Sequence, residues 1–392
     1  MEHFVERYYK FNRILLLITG LWPYQRKWSA RLIRIGHFTI VLIATFIQIL
    51  SIYIAEFTME FVTSTISMIL PTVGTLFLMF IRFKHVDKFK ELFERMWADW
   101  ALQKTDDEIK IMHEHAKITR LYTLFCSISG YLSLITFNIY LYTPEILDII
   151  SPMNESRQRI QLSYFRVGFF SDEERYFYFI RFVLFISCMV IPLIMGTCHL
   201  QFVVFTQHVC AMCKLLGYRA ECLFSIVGNT KKCDLFRRTK IYCEKITVFV
   251  QLHNSIIQFI RILDSCYTIP CIGELLICMF TTTVTIFQIL TNFKIEEIIK
   301  NSVLITGSLL CSFIYNYMGQ KVTDESTNIC EKVYNSAWYD AGVSQQKLLL
   351  LIMRLRFTPL FLTAWFYVFS LPNFVLVLQT IISYYMFIRQ IE

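Results

Sequence analysis

The sequence predicts an all-α, polytopic membrane protein that crosses the bilayer seven times. Hydrophobic residues make up 55% of its 392 positions and charged residues only 17%, a balance typical of chains that reside in lipid. A bilayer core takes about 20 helical residues, and several stretches of that length contain no Asp, Glu, Lys or Arg. These stretches are residues 35–55, 61–81, 121–144, 182–213, 301–320 and 357–388, together with 265–293, which only Glu274 interrupts.

Two of these stretches are longer than one crossing requires. Residues 182–213 would extend about 48 Å as a helix, so we expect one end to project beyond the lipid. Residues 357–388 contain Pro359 and Pro372, and proline removes a backbone donor and interrupts helices. We therefore expect a segment that ends near Pro359, an irregular stretch, and a final membrane helix over residues 371–392.

The distribution of Lys and Arg predicts an inverted topology, with the amino terminus inside and the carboxyl terminus outside. Thirty of the 38 basic residues fall in alternate segments on one side and seven on the other, with Arg181 at the mouth of a span. Basic residues are retained on the cytoplasmic side. The same bias accounts for the net charge of +8, so no nucleic-acid partner is needed.

This orientation divides the chain into cytoplasmic and membrane parts. The predicted parts are a cytoplasmic segment 1–34, transmembrane helices one to four at 35–207 with an outer loop 144–178, a cytoplasmic helical extension 208–261, transmembrane helices five and six at 262–320, cytoplasmic anchor helices 321–359, and the final helix 371–392. We expect the cytoplasmic helices to form an anchor bundle with its own apolar core. For 208–261, a peripheral lipid-binding helix is the alternative.

Two charged features require interpretation. Residues 82–120 carry nearly balanced charge in short alternating blocks, which is typical of a solvated helical hairpin on the surface. Glu274 interrupts the fifth span, and ionisable groups within lipid are costly and often functional. Because residues 275–293 nearly suffice for a crossing, we expect Glu274 at the inner membrane interface, with an ion-relay role as the alternative.

Cysteine placement predicts free thiols. None of the thirteen cysteines falls in the predicted outer segments 56–60, 144–178 or 291–300, and the other segments lie in the membrane or in the reducing cytoplasm. The only glycosylation sequon, Asn154-Glu-Ser, falls in the predicted outer loop, so Asn154 is the candidate acceptor.

No metal, cofactor or enzyme activity is expected. Cys210 and Cys213 lie near His199 and His208, but no second pair has the spacing of a zinc site. Phosphate-binding loops, metalloprotease helices and nucleophile elbows are absent from the sequence.

Several motifs resemble one membrane family. Tyr334-Asn-Ser-Ala-Trp-Tyr-Asp340, the basic and hydrophobic helix 347–356, and Leu371-Pro-Asn-Phe374 resemble the carboxyl-terminal third of insect odorant receptors. The early Gly20-Leu-Trp-Pro-Tyr24 resembles the same family, especially its ant, bee and wasp members. The topology fits over the whole chain, whereas these specific motifs lie near its two ends.

The resemblance implies the odorant-binding subunit of a ligand-gated, non-selective cation channel. Such channels are tetramers in which the last helices line a central pore, in the plasma membrane of olfactory sensory neuron dendrites. The expected partners are a co-receptor subunit in a hetero-tetramer, a small apolar volatile and membrane lipids. The modest segment 208–261 resembles an odorant-tuning subunit, because the co-receptor has an enlarged loop there.

Three other classes remain open. A gustatory-type receptor channel is suggested because Ser383-Tyr384, five residues and then Gln390-Ile391 keep the spacing of that branch's terminal motif. A metabotropic seven-helix receptor requires the opposite orientation. A secondary transporter requires inverted repeats, and no convincing repeat is present.

Polar and bulky residues alternate along one stripe of the final helix. Gln379, Ser383, Phe387 and Gln390 with Ile391 recur at intervals of three or four, which suits a water-filled path with an apolar gate. Phe387 and Ile391 match the family's constriction positions. The alternative is that Gln379 and Ser383 join helices through hydrogen bonds worth about 1 kcal/mol each.

The outer halves of spans two, three, four and six supply candidate ligand contacts. A volatile ligand needs aliphatic and aromatic walls with few hydrogen-bonding groups, although ordinary bundle packing uses the same residue types. The candidates are Met68, Thr72, Gly130, Ser133, Phe137, Phe185, Met189, Val303 and Thr306.

Overall fold

Long α-helices account for most of the computed structural model, which describes residues 2–54, 58–151, 173–224, 235–291, 295–355 and 359–391. The helices are α1 Glu2–Ile18, α2 Lys27–Ile54, α3 Met59–Lys84, α4 Val86–Ala101, α5 Asp106–Leu141, α6 Thr143–Ile150, α7 Glu173–Glu221, α8 Leu235–Thr291, α9 Ile295–Tyr334, α10 Val343–Leu355 and α11 Leu371–Ile391. Strands β1 Thr363–Ala364 and β2 Tyr367–Val368 pair antiparallel between α10 and α11.

Seven helices in the described part of the chain are long and apolar enough to cross a membrane, as the sequence predicts. They are α2, α3, α5, α7, α8, α9 and α11. Helices α7 and α8 contain 49 and 57 residues, whereas a bilayer core takes about 20. Each therefore continues well beyond the length of one crossing.

Helix α7 lies at the centre of the bundle. Every residue from 197 to 213 is buried, and α7 contacts α2, α3, α5, α8 and α9 along its length. Phe202, Phe205, Met212 and Leu216 on this helix are among the largest fully buried side chains. The apolar core is therefore built around the second half of α7.

The prediction of a solvated hairpin over residues 82–120 is wrong for α4. This helix buries Phe89, Leu92, Phe93 and Met96, and the Phe93 ring lies 5.1 Å from the Phe205 ring of α7. These apolar residues recur at helical spacing and form one face. The alternating charges occupy the opposite face, so the sequence pattern is that of an amphipathic helix packed on the core.

The segment between α10 and α11 contains a hairpin that the sequence does not predict. Helix α10 ends before Pro359 and α11 begins at Leu371, with Pro372 in its first turn, where a missing backbone N–H costs little. Between them, the Phe369 N–H donates to the Leu362 carbonyl at 3.0 Å. The expected irregular stretch is thus a β-hairpin at the start of the last helix.

This segment packs tightly on α9 at Gly319. A Cβ atom at that position would overlap the Cβ and carbonyl group of Phe369, so only glycine permits the contact. Gly307, three turns earlier on the same helix, would meet no atom within 4 Å.

We expect Gly319→Ala to destabilise the protein by about 1–3 kcal/mol, because the added methyl group would push α9 away from the backbone of Phe369. Gly307→Ala is the matched control, and its added methyl group enters open space. The measurement is the thermal-unfolding midpoint of the two purified variants beside the parent. Equal midpoints for the two variants would show that the contact with Phe369 does not constrain α9.

Candidate functional site

Helix α11 is held to the bundle by one face only. Val377 and Ile381 are buried where α11 contacts α8 and α9. Gln379 lies two positions before Ile381, which is about 200° around a helix. The residues on the Gln379 side therefore point away from the chain's own bundle.

The predicted pore residues lie on this uncovered side. Gln379, Ser383, Phe387 and Gln390 are all exposed, with Phe387 61% exposed. Ile391 ends the helix, and its side chain lies outside the described part of the structure. One chain thus presents a membrane-length helix whose polar stripe has no cover from its own fold.

Hydroxyl groups on this stripe are satisfied within α11. The Ser383 hydroxyl donates to the Gln379 carbonyl at 2.9 Å, and the Thr380 hydroxyl donates to the Leu376 carbonyl at 2.8 Å. The stripe therefore does not depend on a second helix to pair these two hydroxyl groups.

Asn316 fixes the start of α11 to α9. Its side chain is 1% exposed, and its Oδ1 accepts from the Tyr367 hydroxyl at 2.8 Å and from the Ser370 backbone N–H at 3.2 Å. Its Nδ2 donates to the Ser312 carbonyl at 2.9 Å. One buried amide therefore links α9, the hairpin and the first turn of α11.

Ser370 and Asn373 complete this junction. The Asn373 N–H donates to the Ser370 hydroxyl at 3.3 Å, and the Asn373 side chain donates to the Val368 carbonyl at 2.7 Å. A serine before a helix that accepts from a backbone N–H three residues later is an N-cap.

Buried polar and ionisable groups form a second polar cluster where α3, α7 and α8 meet. The Arg82 guanidinium donates to the Cys198 carbonyl at 3.3 Å and to the Tyr267 hydroxyl at 3.2 Å. It also lies 3.9 Å above the Phe89 ring. Removing one partner from such a buried cluster is costly, because the remaining group loses both water and its pair.

Glu274 faces the interior of the bundle, and its expected position at the inner membrane interface stays a prediction. Its Oε1 lies 2.8 Å from Nε2 of His199, with 13% of the Glu274 side chain and 7% of the His199 side chain exposed. Helix α7 therefore supplies a polar partner for this carboxylate. His208 is paired as well, 3.0 Å from Asp99, and the described residues contain no group of three possible metal ligands.

The nine predicted ligand residues lie on four neighbouring helices of the bundle. Met68 and Thr72 are on α3, Gly130, Ser133 and Phe137 on α5, Phe185 and Met189 on α7, and Val303 and Thr306 on α9.

These nine residues differ in their surroundings. Thr72 is buried and donates to the Gln48 Oε1 at 3.0 Å, so its hydroxyl group is already paired with a side chain of α2. Gly130 is exposed and would meet no atom within 4 Å if it carried a Cβ, and Phe185 and Val303 are exposed as well. These three positions therefore face the surface of the chain.

Sequence reasoning missed a polar patch where the end of α8 meets the start of α9. Lys300, assigned to an outer loop, lies within α9, is buried, and donates to the Ser64 hydroxyl at 2.9 Å. Gln288 and Asn301 are buried with both amide atoms unpartnered among the described residues. Buried amides without partners are rare and mark sites where a ligand or water completes the pairing.

Seven apolar helices around one core define a multi-pass helical membrane protein. Residues 54–382 match the family model described as the 7tm odorant receptor. The chain belongs to the odorant receptor family, a receptor family rather than an enzyme family, and the resemblance noted in the sequence is confirmed.

Curated relatives match part of the chain. Odorant receptor 82a of Drosophila melanogaster is 28% identical over 149 residues, 38% of this chain and 39% of the relative. An odorant receptor coreceptor of the ant Ooceraea biroi is 24% identical over 171 residues, 42% of this chain and 34% of the relative. The chain thus matches less than half the length of these relatives.

Solved structures match the whole fold. The olfactory receptor OR5 from Machilis hrabei in complex with eugenol aligns with a TM-score of 0.79 at 13% identity, covering 100% of this chain and 99% of that one. A second structure of the same Machilis hrabei receptor gives a TM-score of 0.78 at 14% identity. The all-α fold is confirmed, while Asn154 lies outside the described residues.

We expect Asn316→Ala to lower the free energy of unfolding by about 1–3 kcal/mol, because the Tyr367 hydroxyl and the Ser370 N–H lose their buried acceptor. Tyr367→Phe is the matched control, since it leaves the Ser370 contact in place and should cost less. Thermal unfolding of the purified variants measures the difference. If Tyr367→Phe lowered the free energy of unfolding as much as Asn316→Ala does, the contact between Asn316 and the Ser370 N–H would not contribute to stability.

Proposed function

We propose that this chain is the odorant-binding subunit of a ligand-gated, non-selective cation channel in the plasma membrane. The observation that carries the proposal is the exposed polar stripe of α11, opposite the face that packs on α8 and α9. Polar groups are costly in lipid, and family membership provides the context in which several subunits turn such stripes toward a shared water-filled axis.

The gate of this pore is Phe387 with Ile391, and Gln390 forms a polar ring beside it. Gln379 and Ser383 line the path before the gate. A constriction of bulky apolar side chains stops ions by excluding water. Arg389 is one position from Gln390, about 100° around the helix, so it lies beside the stripe, and its charge is directed away from the axis.

The amino terminus is cytoplasmic and the carboxyl terminus extracellular in this proposal. Support comes from the excess of Lys and Arg in alternate segments, thirty against seven, because basic residues remain on the cytoplasmic side. The start of α11 then lies toward the cytoplasm and its gate toward the outside.

The ligand is an apolar or weakly polar volatile bound in the outer half of the bundle, among α3, α5, α7 and α9. The unpartnered buried amides of Gln288 and of Asn301, which is two residues before Val303 on α9, support this location. Apolar walls with a few hydrogen-bonding groups are the usual composition of a small-molecule site. The similar Machilis hrabei receptor was solved in complex with eugenol.

Ligand binding reaches the pore through α9. This helix carries Val303 and Thr306 at the ligand level and Asn316 three turns further along. Asn316 holds both the hairpin and the first turn of α11. A displacement of α9 therefore moves the base of the pore helix without a separate relay.

The functional channel is a hetero-tetramer with a co-receptor subunit, in dendrites of olfactory sensory neurons. Two of the relatives are ant odorant receptor coreceptors, which supports a shared architecture. The short segment between α7 and α8 favours the tuning role for this chain, because the family's co-receptors have an enlarged loop there.

We expect odour-evoked cation current in cells that express this chain together with a co-receptor, across a panel of volatiles. Cells expressing the co-receptor alone provide the baseline. The current should persist when G-protein signalling is blocked, because the ligand opens the pore directly. Whole-cell recording makes the measurement.

Failure of the chain to add any response to the co-receptor baseline would contradict the tuning role. Current evoked only by non-volatile tastants would favour the gustatory alternative. Loss of the current on G-protein block, together with a surface-accessible amino-terminal tag, would favour the metabotropic alternative.

Phe387→Ala should raise the resting current and alter permeability to large cations, since the smaller side chain widens and hydrates the constriction. Ile382→Ala is the matched control, because Ile382 is exposed and lies about 140° around the helix from Phe387, beside the stripe. The measurement is leak current and reversal potential at equal surface expression. Unchanged conduction in Phe387→Ala would remove this residue from the gate.

A further inference from the structure

A second cavity lies away from both the pore helix and the predicted ligand residues. It has a volume of about 640 Å³ and is bounded by α1, α4, α7 and the turn between α1 and α2. Tyr9, Leu16, Met96 and Val204 are buried residues of its lining. Its size falls within the range of small-molecule sites, about 300–1,000 Å³.

The mouth of this cavity is cationic. Lys10 and Arg13, three residues apart on α1, line the cavity and are exposed. The Arg13 guanidinium lies 5.7 Å from the centre of the Trp22 ring. The described lining contains no Asp or Glu, so the charged groups among the lining residues are all positive.

Hydrogen-bond donors point to the same kind of occupant. The Trp97 indole N–H lines the cavity and is buried without a partner among the described residues. Burial raises the pKa of the Tyr9 phenol well above its usual value, so this group adds no negative charge. The cavity therefore combines an apolar interior with donors and positive charge at its entrance.

The cavity lies where a membrane-length helix meets two helices that are not candidate spans. Thr197, Gln201 and Val204 of its lining belong to α7, the membrane-length helix, whereas α1 and α4 are not among the candidate spans. In the first turn of α2, Trp28 is 74% exposed. Tryptophan and tyrosine are enriched where spanning helices leave the bilayer, and this cavity is lined by both.

We propose that this cavity binds an anionic amphiphile from the adjacent leaflet, an acyl chain that carries a carboxylate or a phosphate group. The charged group lies beside Lys10 and Arg13, and the chain extends between Tyr9, Leu16 and Met96. Such an occupant joins α1 to α4 and α7. It stabilises the amino-terminal end of the fold independently of any odorant.

The test is equilibrium binding of radiolabelled oleate to the purified full chain in neutral detergent, without odorant or co-receptor. We expect saturable binding that Lys10→Gln/Arg13→Gln weakens by about tenfold or more, since it removes two charge-assisted contacts. Arg26→Gln/Lys27→Gln is the matched control, because these exposed cations do not line the cavity. Its binding should equal that of the parent.

Competitors separate the two sources of the ligand. Displacement of oleate by dioleoyl phosphatidate, but not by dioleoyl phosphatidylcholine, supports the site with a membrane phospholipid as its occupant. If unlabelled oleate displaces the radiolabel and neither phospholipid does, the site is supported with a free fatty acid as its occupant. Oleyl alcohol has a comparable chain without the charge, and competition as strong as that of oleate would overturn the proposal.

A second variant covers the case in which Lys10→Gln/Arg13→Gln does not fold. Leu17→Trp keeps both cations and fills the cavity, because Leu17 is part of the lining. Loss of oleate binding at an unchanged thermal-unfolding midpoint supports the proposal. Equal weakening in both charge variants, or full binding in Leu17→Trp, overturns it, and neither result affects the proposed channel function.

Discussion

Polar groups in the buried half of α7 must find partners inside the protein, because no residue from 197 to 213 reaches the surface. Four residues of this segment find such partners on neighbouring helices. The Cys198 carbonyl accepts from Arg82 of α3, His199 pairs with Glu274 of α8, and His208 pairs with Asp99 of α4. The Gln207 Oε1 accepts from Lys321 of α9 at 3.1 Å and lies 3.2 Å from the His115 ring of α5. These pairings define where the surrounding helices sit along α7.

Apolar contacts alone would allow such long helices to slide past one another. Hydrophobic burial is non-directional, and a register shift of one turn keeps much of the same area buried. A shift that separates His199 from Glu274, or Gln207 from Lys321, leaves buried polar groups without partners and is costly. The α9 helix is held in this way at Lys321, close to the Asn316 junction with α11. The core of the bundle and the start of α11 are thereby kept in one register.

The membrane-length helices could be predicted from the sequence, whereas the contacts between them could not. Length without charge identifies seven helices because lipid imposes that length, and Pro372 marks the start of α11 because proline is favoured in a first helical turn. Lys300 was misassigned because a charge counted along the chain is assumed to be exposed, and only the fold supplies Ser64 as its partner. Asn316 meets Tyr367 across 51 positions, a pairing that no local pattern contains. In the candidate site, the stripe on α11 was therefore predictable and the junction that holds it was not.

Because α11 packs on its own bundle by one face only, substitutions on its two faces have different consequences. Val377 and Ile381 keep the helix on its own bundle, so their replacement is limited by folding. Gln379, Ser383 and Phe387 contact little of their own chain, so their replacement changes what the helix presents to water and to other subunits while the fold remains intact. In the proposed channel, conduction can then diversify through substitutions that hardly change the stability of the single subunit. An expression screen for folded protein would not detect such variants, whereas a current recording would.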